Sequence, residues 1–127
     1  HLDEQYMIGG MKTEAGTDRV IPIADKILPL VKNRYNANRR FLVNNKYGNH
    51  YTYGSYVSAN FNTVMNKLNM KHLPHDGRHT FASLMDDAGA NEVCIKLIMG
   101  HSMKNNVTKG VYTHKTTQQL IDEVNKI

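Results

Sequence analysis

The sequence predicts a mainly helical α+β fold with a small N-terminal sheet. Two short apolar segments, residues 5–11 and 19–23, flank a polar loop that contains glycine, which is the pattern of a β-hairpin. Later segments carry apolar residues at helical spacing and are bounded by proline, glycine or capping residues. No internal repeat, low-complexity tract or linker interrupts the chain, so we expect residues 1–127 to form a single domain.

Two helices are expected in the first half of the chain, after the hairpin. Asp25 can cap a helix that continues to about Tyr35. Segment 41–43 is expected to be short and buried, and a polar loop follows it. Ser55 begins a second helix, whose apolar face is formed by Val57, Phe61, Val64, Met65 and Leu68.

Three helices are expected in the second half. The first opens at His75 or Asp76, after a proline, and ends at Gly89. Its spacing predicts a buried face made of Phe81, Leu84, Met85 and Ala88. The second spans residues 91–99 and ends at Gly100. The third has a threonine cap and an apolar face: Thr116 or Thr117, then Leu120, Ile121, Val124 and Ile127.

The composition is that of an ordinary globular domain. Hydrophobic residues make up 40% of the 127 residues and charged residues 21%. No apolar run approaches the roughly 20 residues that cross a bilayer, and no signal pattern is present, so we expect no membrane partner. The single cysteine, Cys94, cannot form an internal disulfide, which fits the cytoplasm. We interpret it as core filling rather than as a catalytic thiol.

The positive charge is concentrated in one part of the chain. Net charge is +5, and residues 26–75 contain no Asp or Glu but eight Lys and Arg. The alternatives are a solvated basic face and a surface for double-stranded DNA, and interleaved Tyr and Asn favour DNA because they too can bond phosphates. The candidates for DNA contact are Arg39, Arg40, Lys46, Lys71 and His79.

A set of side chains suited to phosphate chemistry occurs in a fixed order: Lys12, His75, Arg78, His101 and Tyr112. Cations and imidazoles can hold a phosphodiester, and a phenol oxygen can attack it. A phenol with a pKa near 10 is a poor nucleophile at neutral pH, so it needs nearby cations and a proton acceptor. No acidic cluster accompanies the set, so we expect neither a metal nor a cofactor.

His75 and Arg78 lie three residues apart at a helix start, where free N–H groups and a partial positive charge suit an oxyanion. The alternative is that Arg78 pairs with Asp76 and His75 has only a local role. His75 and His79 also have a spacing that can bind zinc. No His-Glu-x-x-His pattern or cysteine pair supports zinc, so the sequence does not favour it.

His101 and Tyr112 are weak signals when taken singly. A histidine after a glycine at a helix end is commonly an exposed residue of the helix end. Most tyrosines serve packing. They become candidates because they follow Lys12, His75 and Arg78 in a fixed order along the chain.

Four segments together resemble the tyrosine recombinases, the phage-type and transposon-type integrases. They are 12–23 (KTEAGTDRVIPI), 75–83 (HDGRHTFAS), 99–102 (MGHS) and 111–114 (VYTH). The resemblance covers nearly the whole chain and implies the helical catalytic domain of this family. Gly77 stands where the family usually has leucine, which bears on local packing more than on chemistry.

The resemblance implies a role for each residue of the set. Tyr112 would attack the scissile phosphate and leave a 3′-phosphotyrosyl DNA with a free 5′-hydroxyl. Arg78 would neutralise the transition state, His75 would act as general acid or base, and His101 would donate to a phosphate oxygen. Lys12 would protonate the leaving 5′ oxygen.

The resemblance also implies that residues 1–127 are a partial catalytic domain truncated at its N-terminus. The family has a further arginine upstream of the hairpin, so we expect this chain alone to be nearly inactive. We expect the full-length protein to act as a homotetramer on DNA in the bacterial cytoplasm. Its gene would belong to the bacterium, a phage or another mobile element. No small-molecule substrate is expected. The alternative function is a non-catalytic DNA-binding remnant or regulator of a mobile element; a helical interaction domain is a third possibility.

Overall fold

The computed structural model describes residues 1–10, 16–102 and 115–127. Helices predominate there and accompany one two-stranded antiparallel sheet, which confirms the predicted mainly helical α+β class. Every helix in these three ranges is too short or too polar to span a bilayer. Two compact units divide the chain: unit 1 comprises His1–Pro29 and Ala82–Ile127, and unit 2 comprises Leu30–Phe81.

The hairpin is confirmed, with strands shorter than predicted. β1 (Tyr6–Gly9) pairs with β2 (Arg19–Pro22), and the register runs from Tyr6 opposite Pro22 to Gly9 opposite Arg19. A proline is tolerated at the end of β2 because each strand of a two-stranded sheet has a free edge.

The helices follow the hairpin. Within the described ranges they are, in chain order, α1 (Leu28–Arg34), α2 (Tyr53–Tyr56), α3 (Asn62–Lys67), α4 (Asp76–Asp87), α5 (Glu92–Met99) and α6 (Thr117–Val124). A π-helical segment, Val57–Phe61, joins α2 to α3.

Unit 1 has an apolar core in which β2 contacts α5 and α6. The buried apolar side chains are Ile23, Ala24, Met85, Val93, Cys94, Ile98, Met99, Leu120, Ile121 and Val124. Cys94 is therefore a core residue, as predicted, and its burial raises the pKa of the thiol.

The ends of α4 and α5 and the start of α6 lie where the sequence predicts them, whereas α6 ends at Val124, before the predicted face residue Ile127. Gly89 and Gly100 follow α4 and α5 with φ of +64° and +68°, the left-handed conformation that glycine adopts without strain. Asn91 caps α5 by accepting two backbone N–H groups. Thr116 caps α6 in a reciprocal capping box with Gln119.

The starts of the earlier helices differ from the prediction. α1 begins at Leu28, and the Asp25 side chain instead accepts a hydrogen bond from Gln5 Nε2 at 2.5 Å. α2 begins at Tyr53, two residues before the predicted start, because the Thr52 hydroxyl caps it by accepting the Ser55 N–H.

Several predicted apolar faces are exposed. Of the four residues predicted to form the buried face of α4, only Met85 is fully buried, and Leu84 is 49% exposed. Phe41 and Val43 are also exposed, so the prediction of a buried segment 41–43 is wrong. Helical spacing identifies an apolar face, whereas its burial depends on what packs against it.

The centre of the 39–50 loop in unit 2 is polar. Asn44 is buried, pairs with His50 in an isolated antiparallel bridge and donates from Nδ2 to the Phe41 carbonyl. Arg39 donates to the Asn44 side chain, and Arg34 donates to the Asn44 carbonyl. These bonds give the loop its shape without an apolar core.

Candidate phosphate-binding site

The start of α4 is fixed by Asp76. Its Oδ2 accepts the Leu73 backbone N–H at 2.9 Å, and His72 Nδ1 lies 3.4 Å from the same oxygen. The hydrogen bond from Leu73 lowers the pKa of the Asp76 carboxyl below its ordinary value, and His72 acts in the same direction. Asp76 therefore joins the helix to the turn before it.

His75 and Arg78 lie at this helix start, as predicted. His75 directly precedes α4, and its carbonyl accepts the Arg78 N–H at 3.0 Å. The His75 side chain is exposed and that of Arg78 is half-buried. A guanidinium and an imidazole three residues apart can approach one phosphate from neighbouring positions.

His79 lies one turn beyond His75. The two imidazole rings meet edge to face with centroids 5.1 Å apart. Within residues 1–10, 16–102 and 115–127, no group of three or more His, Cys, Asp or Glu side chains is arranged to hold a metal ion.

His101 belongs to unit 1 and follows the end of α5. Its N–H donates to the Lys96 carbonyl at 2.9 Å, next to the left-handed Gly100. The side chain is exposed. His101 is thus held at the backbone while its imidazole remains accessible.

Two members of the predicted set, Lys12 and Tyr112, lie outside the described residues, as does His114. The structure thus places His75, Arg78 and His79 at the start of α4, with the two imidazoles in contact, and places His101 after α5.

All five candidates for DNA contact are exposed residues of unit 2: Arg39, Arg40, Lys46, Lys71 and His79. Arg40 lies over the Phe41 ring at 5.6 Å, and Lys46 lies over the Tyr47 ring at 4.9 Å. Cations held against aromatic faces keep their charge at the surface with fewer conformations, which suits contact with an acidic polymer.

Two features of the described residues were not predicted from the sequence. One is an open groove of about 530 Å³ in unit 2, lined by Phe41, Leu42, Val43, His50, Tyr51, Thr52, Tyr53 and Tyr56. The closely spaced tyrosines Tyr51, Tyr53 and Tyr56 are the sequence feature that could have indicated this groove. The other is Arg19, which bridges two backbone carbonyls of unit 1, and no sequence pattern marks that contact.

Comparison with known proteins gives a family match. The sequence model of the phage integrase family matches residues 3–119. No solved structure matches the chain significantly.

Three curated relatives resemble the chain over most of its length. A tyrosine recombinase of Thermosipho africanus is 26% identical over 112 residues, which is 87% of this chain and 39% of the relative. A tyrosine recombinase of Pseudothermotoga lettingae is 28% identical over 119 residues, with the same coverage. The transposase from transposon Tn916 of Enterococcus faecalis is 27% identical over 146 aligned positions, which cover 96% of this chain and 34% of the relative. The chain therefore spans between 34% and 39% of the length of these relatives.

Proposed function

The chain belongs to the phage integrase family, and we propose that it is the C-terminal part of the catalytic domain of a site-specific DNA recombinase. The longer protein is called the parent protein below. The observation that carries the proposal is the family match over residues 3–119, which contains Lys12, His75, Arg78, His101 and Tyr112 in order. The position of His75 and Arg78 at the start of α4 supports it.

The proposed reaction is a reversible transfer of a DNA phosphoryl group to a tyrosine. The Tyr112 phenol oxygen forms a bond to phosphorus, and the bond from phosphorus to the 5′ oxygen breaks. His75 accepts the phenol proton, and Lys12 gives a proton to the leaving 5′ oxygen. Arg78 and His101 bind the oxygens that gain charge in the transition state.

The phosphotyrosyl bond makes rejoining possible. A 5′-hydroxyl from a second strand attacks the same phosphorus and releases Tyr112, so strand exchange needs no nucleotide hydrolysis. We propose double-stranded DNA as the substrate, a homotetramer of the parent on two duplexes, and action in the cytoplasm of a bacterial host.

The chain alone is proposed to be nearly inactive. The family resemblance places a further arginine upstream of the hairpin, and this chain lacks that segment. Loss of one preorganised donor to a transition state costs roughly 10²- to 10³-fold in rate. We therefore expect DNA binding from residues 1–127 and cleavage from the parent protein.

Covalent trapping tests the proposal. Cleavage of a nicked suicide substrate releases a short fragment that carries the new 5′-hydroxyl, so religation is prevented and the phosphotyrosyl adduct accumulates. We expect an adduct from the wild-type parent and none from Tyr112→Phe. Tyr6→Phe is the matched control, because it removes a phenol from the hairpin, and it should give the wild-type adduct. An adduct that survives Tyr112→Phe would remove Tyr112 from its role.

A non-catalytic DNA-binding module is the second candidate, and the exposed cations of unit 2 favour it. The two candidates differ in one outcome. A parent protein that binds DNA tightly and never forms the adduct is a binding module.

A further inference from the structure

The Arg19 side chain on β2 joins the end of the hairpin loop to the end of α5. Its Nε donates to the Ile98 carbonyl at 2.8 Å, and its Nη1 donates to the Gly16 carbonyl at 3.0 Å. Gly16 is buried and Arg19 is half-buried, so both bonds are partly shielded from water. Because a guanidinium holds its donors in one rigid plane, the two bonds fix the relative orientation of the two segments.

The Ile98 carbonyl is one of the last carbonyls of α5, which have no partner within the helix. The backbone N–H groups of Gly100 and His101 donate to the two carbonyls before it, at 3.1 and 2.9 Å. Arg19 therefore completes the hydrogen bonding of the helix end. Its positive charge also faces the negative end of the helix dipole.

The hairpin approaches α5 so closely that only glycine fits at position 100. A Cβ on Gly100 would lie 2.9 Å from Gly16 Cα and 3.2 Å from Arg19 Cδ. The φ of +68° at Gly100 independently favours glycine. A shift of Arg19 or Gly16 is thus transmitted directly to the residue that precedes His101.

We infer that Arg19 is a positioning residue for His101, an inference that rests on the proposed recombinase function. The hydrogen bonds of the Arg19 side chain go to two backbone carbonyls, so it would act through His101 and not on the reacting atoms. It holds the turn from Ile98 to His101 against the end of the hairpin, so that the imidazole meets the phosphate at a fixed angle. The contact uses two nitrogens of one rigid guanidinium plane. Lysine and glutamine each carry only one side-chain nitrogen, so neither can reproduce it.

A double-variant cycle in the parent protein tests the inference. The rate of Tyr112 adduct formation is measured at saturating nicked DNA for the wild type, Arg19→Ala, His101→Ala and the double variant. A displacement of about 1 Å can lower a rate by roughly 10²-fold, so we expect a loss of about 10²-fold from Arg19→Ala. In the His101→Ala background we expect the same change to cost less than about 10-fold, since no imidazole remains to be displaced. An equal loss in both backgrounds overturns the inference.

Arg34→Ala is the matched control, because Arg34 also donates to two backbone carbonyls, at 3.3 Å each, but does so in unit 2. Any loss it causes should be the same with and without His101. Thermal unfolding of each variant shows whether it is folded. If Arg19→Ala is not, the cycle is run with Arg19→Lys, and an equal loss in both backgrounds again overturns the inference. Absence of an adduct from the wild-type parent is instead a failure of the proposed function, and it is detected before any Arg19 variant is compared.

Discussion

Asp76 is the residue that sets the geometry at the start of α4. Its carboxylate accepts the Leu73 N–H, and this bond lowers the pKa of the carboxyl. A group with a lowered pKa in the folded state stabilises the fold above its unfolded pKa, and that contribution is lost as the pH falls through the folded pKa. We therefore expect the position of His75 and Arg78 to depend on this charged neighbour.

Asp76→Asn tests this dependence. Asparagine keeps an acceptor oxygen and removes the charge, so we expect the wild type to be more stable near neutral pH. The difference should shrink as the pH falls below about 4, the ordinary range of an aspartate pKa. Thermal unfolding of the chain across this range measures it. Asp86→Asn, an exposed change in the same helix, is the control. A difference that stays constant into acid would contradict the assignment.

Arg78→Lys tests the proposed contact with the transition state. Lysine keeps the charge but cannot offer two donors to two phosphate oxygens. We expect DNA affinity to be nearly retained and the rate of adduct formation in the parent to fall by about 10²- to 10³-fold. Single-turnover kinetics at saturating DNA measure the rate, with Arg34→Lys as control. A wild-type rate would exclude Arg78 from the transition state.

At the scale of elements, the best predictions came from local chemistry. The glycines after α4 and α5 and the threonine cap of α6 act within one helical turn, so the residue types alone locate those helix ends. The starts of α1 and α2 differ from the prediction, because Asp25 bonds to Gln5 across 20 residues instead of capping α1, and Thr52 caps α2 before the predicted start at Ser55. A long-range partner is not visible in the local sequence.

The same limit applies to the candidate site. The positions of His75, Arg78 and His101 near helix ends could be predicted, because a proline precedes α4 and a glycine follows α5 in the sequence. Arg19 could not, because its contacts with Ile98 and Gly16 depend on how β2 packs against α5. Side chains that bond to backbone across the fold leave no periodic pattern.

Glu123 in α6 bonds to Asn91, the cap residue of α5, and so joins the two helices. Its Oε2 accepts the Asn91 N–H at 2.7 Å and lies 2.8 Å from Lys126 Nζ. The bonds from Lys126 and Asn91 lower its pKa. We expect Glu123→Ala to cost about 1.5–3 kcal/mol, a typical value for hydrogen bonds to a charged group.

Urea denaturation near neutral pH measures this cost, and the neighbouring exposed residue provides the control, Asp122→Ala. Because the pKa of Glu123 is lowered, its contribution should fade as the pH drops through the folded pKa. Equal stability of the two variants would show that the link between α5 and α6 is unimportant.

At the scale of the whole molecule, charge distribution is the property that concerns DNA. Positive charge is concentrated in residues 26–75, which have no acidic residue, and the net charge of the chain is +5. Four of the five candidate DNA contacts lie in this segment, the fifth is His79, and all five are exposed. Exposed cations bind a polyanion by releasing counterions, so affinity falls with salt. We therefore expect unit 2 to be the part of the chain that contacts a duplex.

Salt dependence of DNA binding by the chain tests that suitability. We expect a linear fall of log affinity with log salt, and Arg40→Gln should reduce the slope by about 1. Lys96→Gln is the control, because Lys96 Nζ lies 2.6 Å from a Glu92 carboxylate oxygen and should leave the slope unchanged. Equal slopes for the wild type and Arg40→Gln would remove Arg40 from the DNA surface.

The most direct measurement is the structure of the parent protein bound to nicked DNA. We predict a covalent bond between the Tyr112 phenol oxygen and the scissile phosphorus, with the Arg78 guanidinium and the His75 and His101 imidazoles within hydrogen-bonding distance of the oxygens of that phosphate, roughly 2.6–3.2 Å. A complex in which the scissile phosphate contacts Arg78 and His75 while a different side chain occupies the attacking position would contradict it.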